Sequence, residues 1–63
     1  MDEAYELIEK ADNNINFVIR NYYIGVISGL YNKIDIMIPE ITEAIQYLET
    51  AKQLLITEKN KQP

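Results

Sequence analysis

Apolar residues recur at alternating steps of three and four in both halves of this 63-residue chain, and this spacing constrains the fold more than any other feature. Such steps place residues on one face of an α-helix and are typical of helices that pack side by side in layers. The first position of each heptad is large and the second is mostly small, so the two helices can approach closely. Ala4 begins the pattern, and the predicted dimer core consists of Ile8, Ala11, Ile15, Val18, Tyr22, Gly25, Ile34, Met37, Ile41, Ala44, Leu48, Ala51 and Leu55.

The pattern predicts an all-α protein with a single helical-hairpin domain over residues 1–63. Helix one is expected over about 2–28, the turn over about 29–32 and helix two over about 33–58, followed by a frayed polar tail. Two helices joined by so short a turn must lie antiparallel.

Local signals support these boundaries. Asp2 and Glu3 favour the positive end of a helix dipole in the opening turn. Gly29 is a plausible stop for helix one, since glycine adopts left-handed backbone angles freely. Asn32 is a candidate N-cap for helix two.

Pro39 falls inside the predicted second helix and leaves two interpretations. Within a helix, proline deletes one backbone hydrogen bond, at a cost of about 3 kcal/mol. A continuous but kinked helix is favoured, because the freed carbonyl of Asp35 lies on the outer face and can bind water. The alternative starts helix two at Pro39 and makes residues 31–38 an extended linker.

The apolar stripe is wider than one hairpin can cover. A chain of this length needs disulfides, a metal or a partner subunit for stability, and it contains no cysteine. We therefore expect two hairpins to dimerise into a four-helix bundle. The alternative is a hairpin that buries the same stripe against another protein. The flanking apolar positions are Tyr5, Leu7, Ile19, Val26, Ile38, Ile45, Tyr47 and Leu54.

A second apolar stripe on helix one has no counterpart on helix two and is expected on the face opposite the seam. Contiguous apolar strips mark interaction sites, and aromatic residues with arginine are typical of binding hot spots. One hypothesis is a partner surface. The other is packing against a neighbouring subunit, or a seam register shifted by one residue. The candidate partner surface consists of Phe17, Arg20, Ile24, Ile27 and Tyr31.

The composition argues against an enzyme, against a metal or cofactor site and against nucleic-acid binding. The chain has no histidine or cysteine and no glycine-rich phosphate loop, so no catalytic, cofactor-binding or metal-binding residues are predicted, and we expect a non-enzyme. A net charge of −4 makes nucleic-acid binding unlikely. The acidic start argues against a signal peptide, and the longest uncharged stretch, about 21–32, is too short to span a membrane. A cytoplasmic location is expected.

The opening MDEAYELIEKADNNINFVIRNYY and the later stretch IPEITEAIQYLETAKQLL resemble the small helical-hairpin proteins of Sulfolobus spindle-shaped viruses, the fuselloviruses. The resemblance covers the whole chain and contains no short functional motif. It implies an antiparallel hairpin that dimerises into a four-helix bundle and acts as an adaptor in the cytoplasm of a host cell. The architecture is also similar to Rop, the plasmid RNA-binding hairpin dimer, although the acidic charge departs from RNA binding.

Three functions follow from these observations. The leading hypothesis is a non-enzymatic homodimeric adaptor that presents a rigid helical surface to an unidentified protein, without cofactors or membrane attachment. The second is a Rop-like regulator of structured RNA, although only three basic residues precede Lys52. The third is an acidic inhibitor that masks a basic site on a partner protein.

Overall fold

The structure, a computed structural model, describes residues 2–27, 29 and 33–61. Helix α1 covers Glu3–Asn21 and continues as a π-helical segment, Tyr22–Ile27, while helix α2 covers Ile34–Lys61. The helices pack along each other in an elongated shape of 53 × 16 × 15 Å. They run antiparallel, because Asn14 contacts Glu40 while the earlier Lys10 lies over the later Tyr47. The predicted all-helical hairpin is confirmed.

Helix α1 begins where the sequence predicts. The Asp2 backbone is extended, and its side-chain Oδ1 accepts a hydrogen bond of 3.2 Å from the backbone N–H of Tyr5. This bond satisfies one of the amide groups that every helix leaves unpaired at its N-terminus. Glu3 and Glu6 lie in the first turn, where their charge favours the helix dipole.

The end of the first helix differs from the prediction. Regular α-helix stops at Asn21, whose Nδ2 donates to the carbonyl oxygen of Phe17 at 2.8 Å, and the next six residues form wider π-helical turns. Gly29 has a φ of +79°, the left-handed conformation expected of a glycine that follows a helix. The predicted cap Asn32 and the rest of the turn lie outside the described residues.

Helix α2 is continuous through Pro39, which favours the continuous helix over a start at the proline. The carbonyl of Asp35, which would have accepted the missing hydrogen bond, belongs to an exposed residue that water can reach. The helix also extends to Lys61, so the expectation of a frayed tail from residue 59 is wrong for 59–61. Lys59 and Lys61 lie in the last turn, where positive charge favours the helix dipole.

Small residues form the contact between the helices. Ala11 and Ala51 are 1% and 2% exposed, and Ala4, Gly25, Met37 and Ala44 are also buried. The small seam positions of the prediction, together with Met37, therefore lie in the hairpin interface. Short side chains at these positions allow the two backbones to approach closely, as the alternation of large and small residues indicates.

The large seam positions flank the alanine contact and stay 37–53% exposed in a single copy: Ile8, Ile15, Tyr22, Ile34, Ile41, Leu48 and Leu55. A second row, one position earlier in the sequence, is partly or fully covered within the single copy. In this row Asn14 is hydrogen-bonded to α2. The covered row comprises Leu7, Asn14, Asn21, Glu40, Tyr47 and Leu54.

Candidate functional site

Two long surfaces flank the alanine contact, and one of them is apolar. The apolar face is defined here as the exposed aliphatic side chains beside the contact: Ile8, Ile15, Ile19, Ile41, Leu48 and Leu55. Ile8 is 42% exposed, Leu48 41% and Leu55 52% in the single copy. All three belong to the predicted dimer core, which a second copy would cover. Tyr22 and Ile34, which also belong to the predicted dimer core, are exposed in the single copy as well.

The apolar face contains two depressions. One has a volume of about 220 Å³ and is lined by Ile15, Ile41 and Leu48 among others. The second, of about 340 Å³, lies nearer the open end of the hairpin between Ile8 and Leu55, with Lys52 and Lys59 at its edge. Leu48 lines both, so the two depressions form a continuous apolar surface along the hairpin.

The surface on the other side of the contact is polar. The polar groove is defined as the depression of about 360 Å³ lined by Lys10, Asn14, Phe17, Glu40, Glu43 and Tyr47. Asn13 and Arg20 complete its walls. It carries two cationic and two carboxylate side chains, together with two aromatic rings, and runs between the middle of α1 and the first half of α2.

Asn14 connects the two walls of the polar groove. Its Nδ2 donates to Glu40 Oε1 at 2.9 Å and to Glu43 Oε1 at 3.2 Å. Glu40 and Glu43 are three residues apart, so both carboxylates project from the same face of α2. Asn14 is only 6% exposed, and its Oδ1 is buried without a hydrogen-bond partner.

Tyr47 lies beside the carboxylates and also holds a cation. The Lys10 Nζ lies 5.8 Å from the centroid of the Tyr47 ring, within the range of a cation–π interaction. Desolvation raises the pKa of the Tyr47 hydroxyl above its ordinary value, and the neighbouring carboxylates of Glu43 and Glu40 raise it further. A neutral hydroxyl is favoured here because a tyrosinate would lie beside two carboxylates.

The predicted partner surface is distributed over more than one feature. Phe17 and Arg20 line the polar groove, and Arg20 also lines a depression of about 360 Å³ with Ile24. Phe17 is half-buried, so its expected place opposite the seam is wrong; it lies beside the interhelical contact. The side chain of Ile27 and the whole of Tyr31 lie outside the described part of the chain.

Sequence reasoning missed the residues that form the polar groove. Asn14, Glu40 and Glu43 were given no role, and Tyr47 was interpreted as a flanking apolar residue. One signal was available, because Leu7, Asn14 and Asn21 recur at heptad spacing beside the alanine positions. A polar residue at a packed heptad position needs a partner on the facing helix.

Within residues 2–27, 29 and 33–61, no three or more His, Cys, Asp or Glu side chains cluster in a way that could hold a metal ion. None of the helices in these ranges is both long enough and apolar enough to cross a lipid bilayer. Comparisons of the chain with protein-family models, with curated proteins and with solved structures found no match.

Proposed function

We propose that this chain is a non-enzymatic homodimeric adaptor, in which two hairpins join their apolar faces to form a four-helix bundle. The single observation that carries the proposal is the open apolar face, which leaves Ile8, Leu48 and Leu55 about half exposed along the hairpin. A contiguous apolar surface of this kind marks an interaction site. Its elongated form suits a second copy of the same hairpin.

The size of the chain supports the same proposal. A domain of 63 residues buries a small share of its surface, and the interior of this hairpin consists mainly of alanines. Covering the remaining exposed area of one Ile or Leu side chain stabilises by about 1 kcal/mol. A second copy covers a whole row of them at once, and in a symmetric dimer both copies contribute the same surface.

Dimerisation through the apolar face leaves the polar groove available on each copy, together with Arg20, Tyr23 and Ile24, which lie outside that face. Tyr23 is 68% exposed, and aromatic residues with arginine are enriched at binding hot spots. The bundle would thus present two copies of its outer surface to a protein partner. The viral origin, the cytoplasmic location and the similarity to Rop stay predictions of the sequence resemblance.

Light scattering across a dilution series tests the dimer. We expect a molar mass of twice 7.4 kDa at micromolar concentration, with helix content that falls together with the mass on further dilution. A folded 7.4 kDa species that persists throughout the series would contradict the proposal.

The adaptor role needs a separate test on the outer surface. Tagged wild-type protein and a Tyr23→Asp, Ile24→Asp double variant are used to recover proteins from the native host lysate. We expect the variant to keep the dimer mass and to lose a partner that the wild type recovers. A variant with Gln46→Asp serves as a control, because Gln46 is exposed on α2 and lines neither the polar groove nor the depression beside Arg20 and Ile24. Identical recovery by all three proteins would contradict this surface.

A further inference from the structure

We propose that the polar cluster of Asn14, Glu40 and Glu43 determines which side of the hairpin a second copy can cover, and so limits the assembly to two copies. This inference rests on the proposed homodimer and assigns a role to residues outside its apolar face. Two observations carry it: the different chemistry of the two sides of the alanine contact, and a buried polar atom of Asn14 that has no hydrogen-bond partner.

The alanine contact has a heptad-spaced row on each side. The large seam positions on one side are all aliphatic or aromatic and belong to the apolar face or continue it. The covered row on the other side has Leu7 and Leu54 towards the open end of the hairpin, but Asn14 and Glu40 in its middle. Both rows therefore have the spacing at which another helical hairpin packs, and only the residue types distinguish them.

Asn14 lowers the stability of the single copy. Its Oδ1 has less than 1 Å² of accessible surface and no hydrogen-bond partner, so a ligand in the polar groove cannot reach it. A buried polar atom in this state destabilises the folded protein, whereas a leucine at the same position would bury only apolar atoms. At packed heptad positions, a single polar residue specifies register and number of copies at a cost in stability. We assign this role to Asn14.

Docking a second copy on the covered row would remove charged groups from water. Glu43 is exposed and Glu40 is half-buried. Lys10 and Arg20 line the same groove. Removing such groups from water costs more than their mutual attraction returns, unless each finds a well-placed partner in the new interface. By contrast, covering Leu48, which is 41% exposed, is favourable, so the second copy binds the apolar face.

A single binding face per copy gives an assembly that closes. Two copies related by a twofold axis use the same face on both sides, and each covers the apolar face of the other. A hairpin that could bind a copy on both sides of the alanine contact would continue to grow with concentration. The polar cluster therefore ends the assembly at the dimer and leaves the polar groove to the outer surface.

The test replaces two members of the cluster by leucine in the full chain. Asn14→Leu with Glu40→Leu leaves Glu43 as an exposed carboxylate. We expect helix content and a thermal midpoint at least equal to those of the wild type, because an apolar pair replaces a buried polar contact. We also expect light scattering to give a molar mass above twice 7.4 kDa that rises with protein concentration. A variant that stays at the dimer mass, or one that loses its helix content, would overturn the proposal.

Glu9→Leu with Asn13→Leu is the matched control. It makes the same two chemical changes at exposed residues of α1 that belong neither to the apolar face nor to the covered row. We expect this variant to keep the dimer mass at every concentration. Equal growth in mass would mean that added leucine on any surface causes association, which would overturn the specific role of the cluster.

A second experiment tests which face the copies use. Leu48→Asp places a charge in the apolar face, so this variant should have a mass of 7.4 kDa at concentrations where the wild type is dimeric. Adding Asn14→Leu and Glu40→Leu to it should restore association, since the covered row then offers a second apolar side. A monomeric triple variant would mean that the polar cluster is not what keeps copies off this side, and would overturn the proposal.

The homodimer and the role of the cluster fail separately. The wild-type mass decides the homodimer, whereas the difference between the wild type and the double leucine variant decides the role of the cluster. A wild-type mass of 7.4 kDa with a double variant that associates would contradict the homodimer and keep the cluster as a barrier to association. A dimeric wild type with a double variant of the same mass would keep the homodimer and overturn the role of the cluster.

Discussion

Asn14 and Glu40 join the two helices of the hairpin through a hydrogen bond of 2.9 Å between residues 26 positions apart. The bond lies near the middle of α1 and fixes which turn of α1 faces which turn of α2. The apolar contacts on either side are alanines, which fit several registers almost equally well. The amide and the carboxylate therefore contribute specificity to a contact that small apolar residues alone define poorly.

Asn14→Asp should destabilise the protein by about 2–3 kcal/mol at neutral pH, because it places a third carboxylate in a buried position beside Glu40 and Glu43. Burial and like charges raise the pKa of the introduced carboxyl in the folded state above its unfolded value of about 4. The destabilisation caused by the added charge is therefore absent below the unfolded pKa. It grows as pH rises from the unfolded pKa to the folded pKa. Thermal unfolding from pH 3 to pH 8 measures it.

Asn13→Asp is the matched control for this prediction. Asn13 is the neighbouring residue, is exposed, and undergoes the same chemical change. We expect its effect to stay within about 0.5 kcal/mol. Equal destabilisation in the two variants would show that helix propensity or net charge is responsible, and not the contact of residue 14 with α2.

Ala11→Leu should destabilise the hairpin by about 1–3 kcal/mol, because Ala11 is 1% exposed and lies where the helices approach closely. Glu9→Leu introduces the same side chain at an exposed position of the same helix and should change stability by about 0.5 kcal/mol or less. Denaturant midpoints at equal protein concentration distinguish the two. A tolerant Ala11→Leu variant would show that the alanine contact is looser than the structure indicates.

The hairpin itself could be predicted from the sequence, because its signals are local. The heptad alternation, the acidic residues of the opening turn and the glycine at position 29 all depend on neighbours within a turn or two. Pro39 could be placed inside a helix because its freed carbonyl belongs to an exposed residue. The π-helical turns from Tyr22 to Ile27 had no such signal, since aliphatic and aromatic residues fit both types of helix.

The sides of the interhelical contact could not be assigned from the sequence. With alanines at its centre, the hairpin can close towards the row that contains Ile8 or towards the row that contains Leu7, and both rows have heptad spacing. The choice depends on a contact across 26 residues, Asn14 with Glu40, which periodicity does not show. For the same reason the polar groove was missed and Phe17 was placed on the wrong side.

The Tyr47 hydroxyl should titrate above the usual range for tyrosine, since desolvation and then Glu43 raise its pKa. A folded pKa above the unfolded value means that this stabilising contribution is present below the unfolded pKa and is lost as pH rises through the folded one. Tyr47→Phe should remove that alkaline loss of stability. Ultraviolet absorbance of tyrosinate in the variant and the wild type isolates the step.

Tyr5→Phe is the control, because Tyr5 is 61% exposed and lies on α1 near its N-terminus. The difference between the wild-type and Tyr47→Phe spectra gives the titration midpoint of Tyr47, and the corresponding difference for Tyr5→Phe gives that of Tyr5. Equal midpoints would mean that the carboxylates have no effect on Tyr47. Repeating the titration with Glu43→Gln should move the Tyr47 midpoint down, towards its ordinary value.

Leu48→Asp should disrupt the proposed homodimer more than any other single change on the apolar face, because Leu48 lines both of its depressions. An unpaired carboxylate buried between two copies costs several kcal/mol, which weakens association at least about a hundredfold. Light scattering should then give 7.4 kDa at concentrations where the wild type is dimeric, whether or not the separated hairpin stays helical. Gln46→Asp, an exposed residue two positions earlier, adds the same charge and should leave the mass unchanged. A dimeric Leu48→Asp variant would mean that the copies meet elsewhere and that the apolar face serves a different partner.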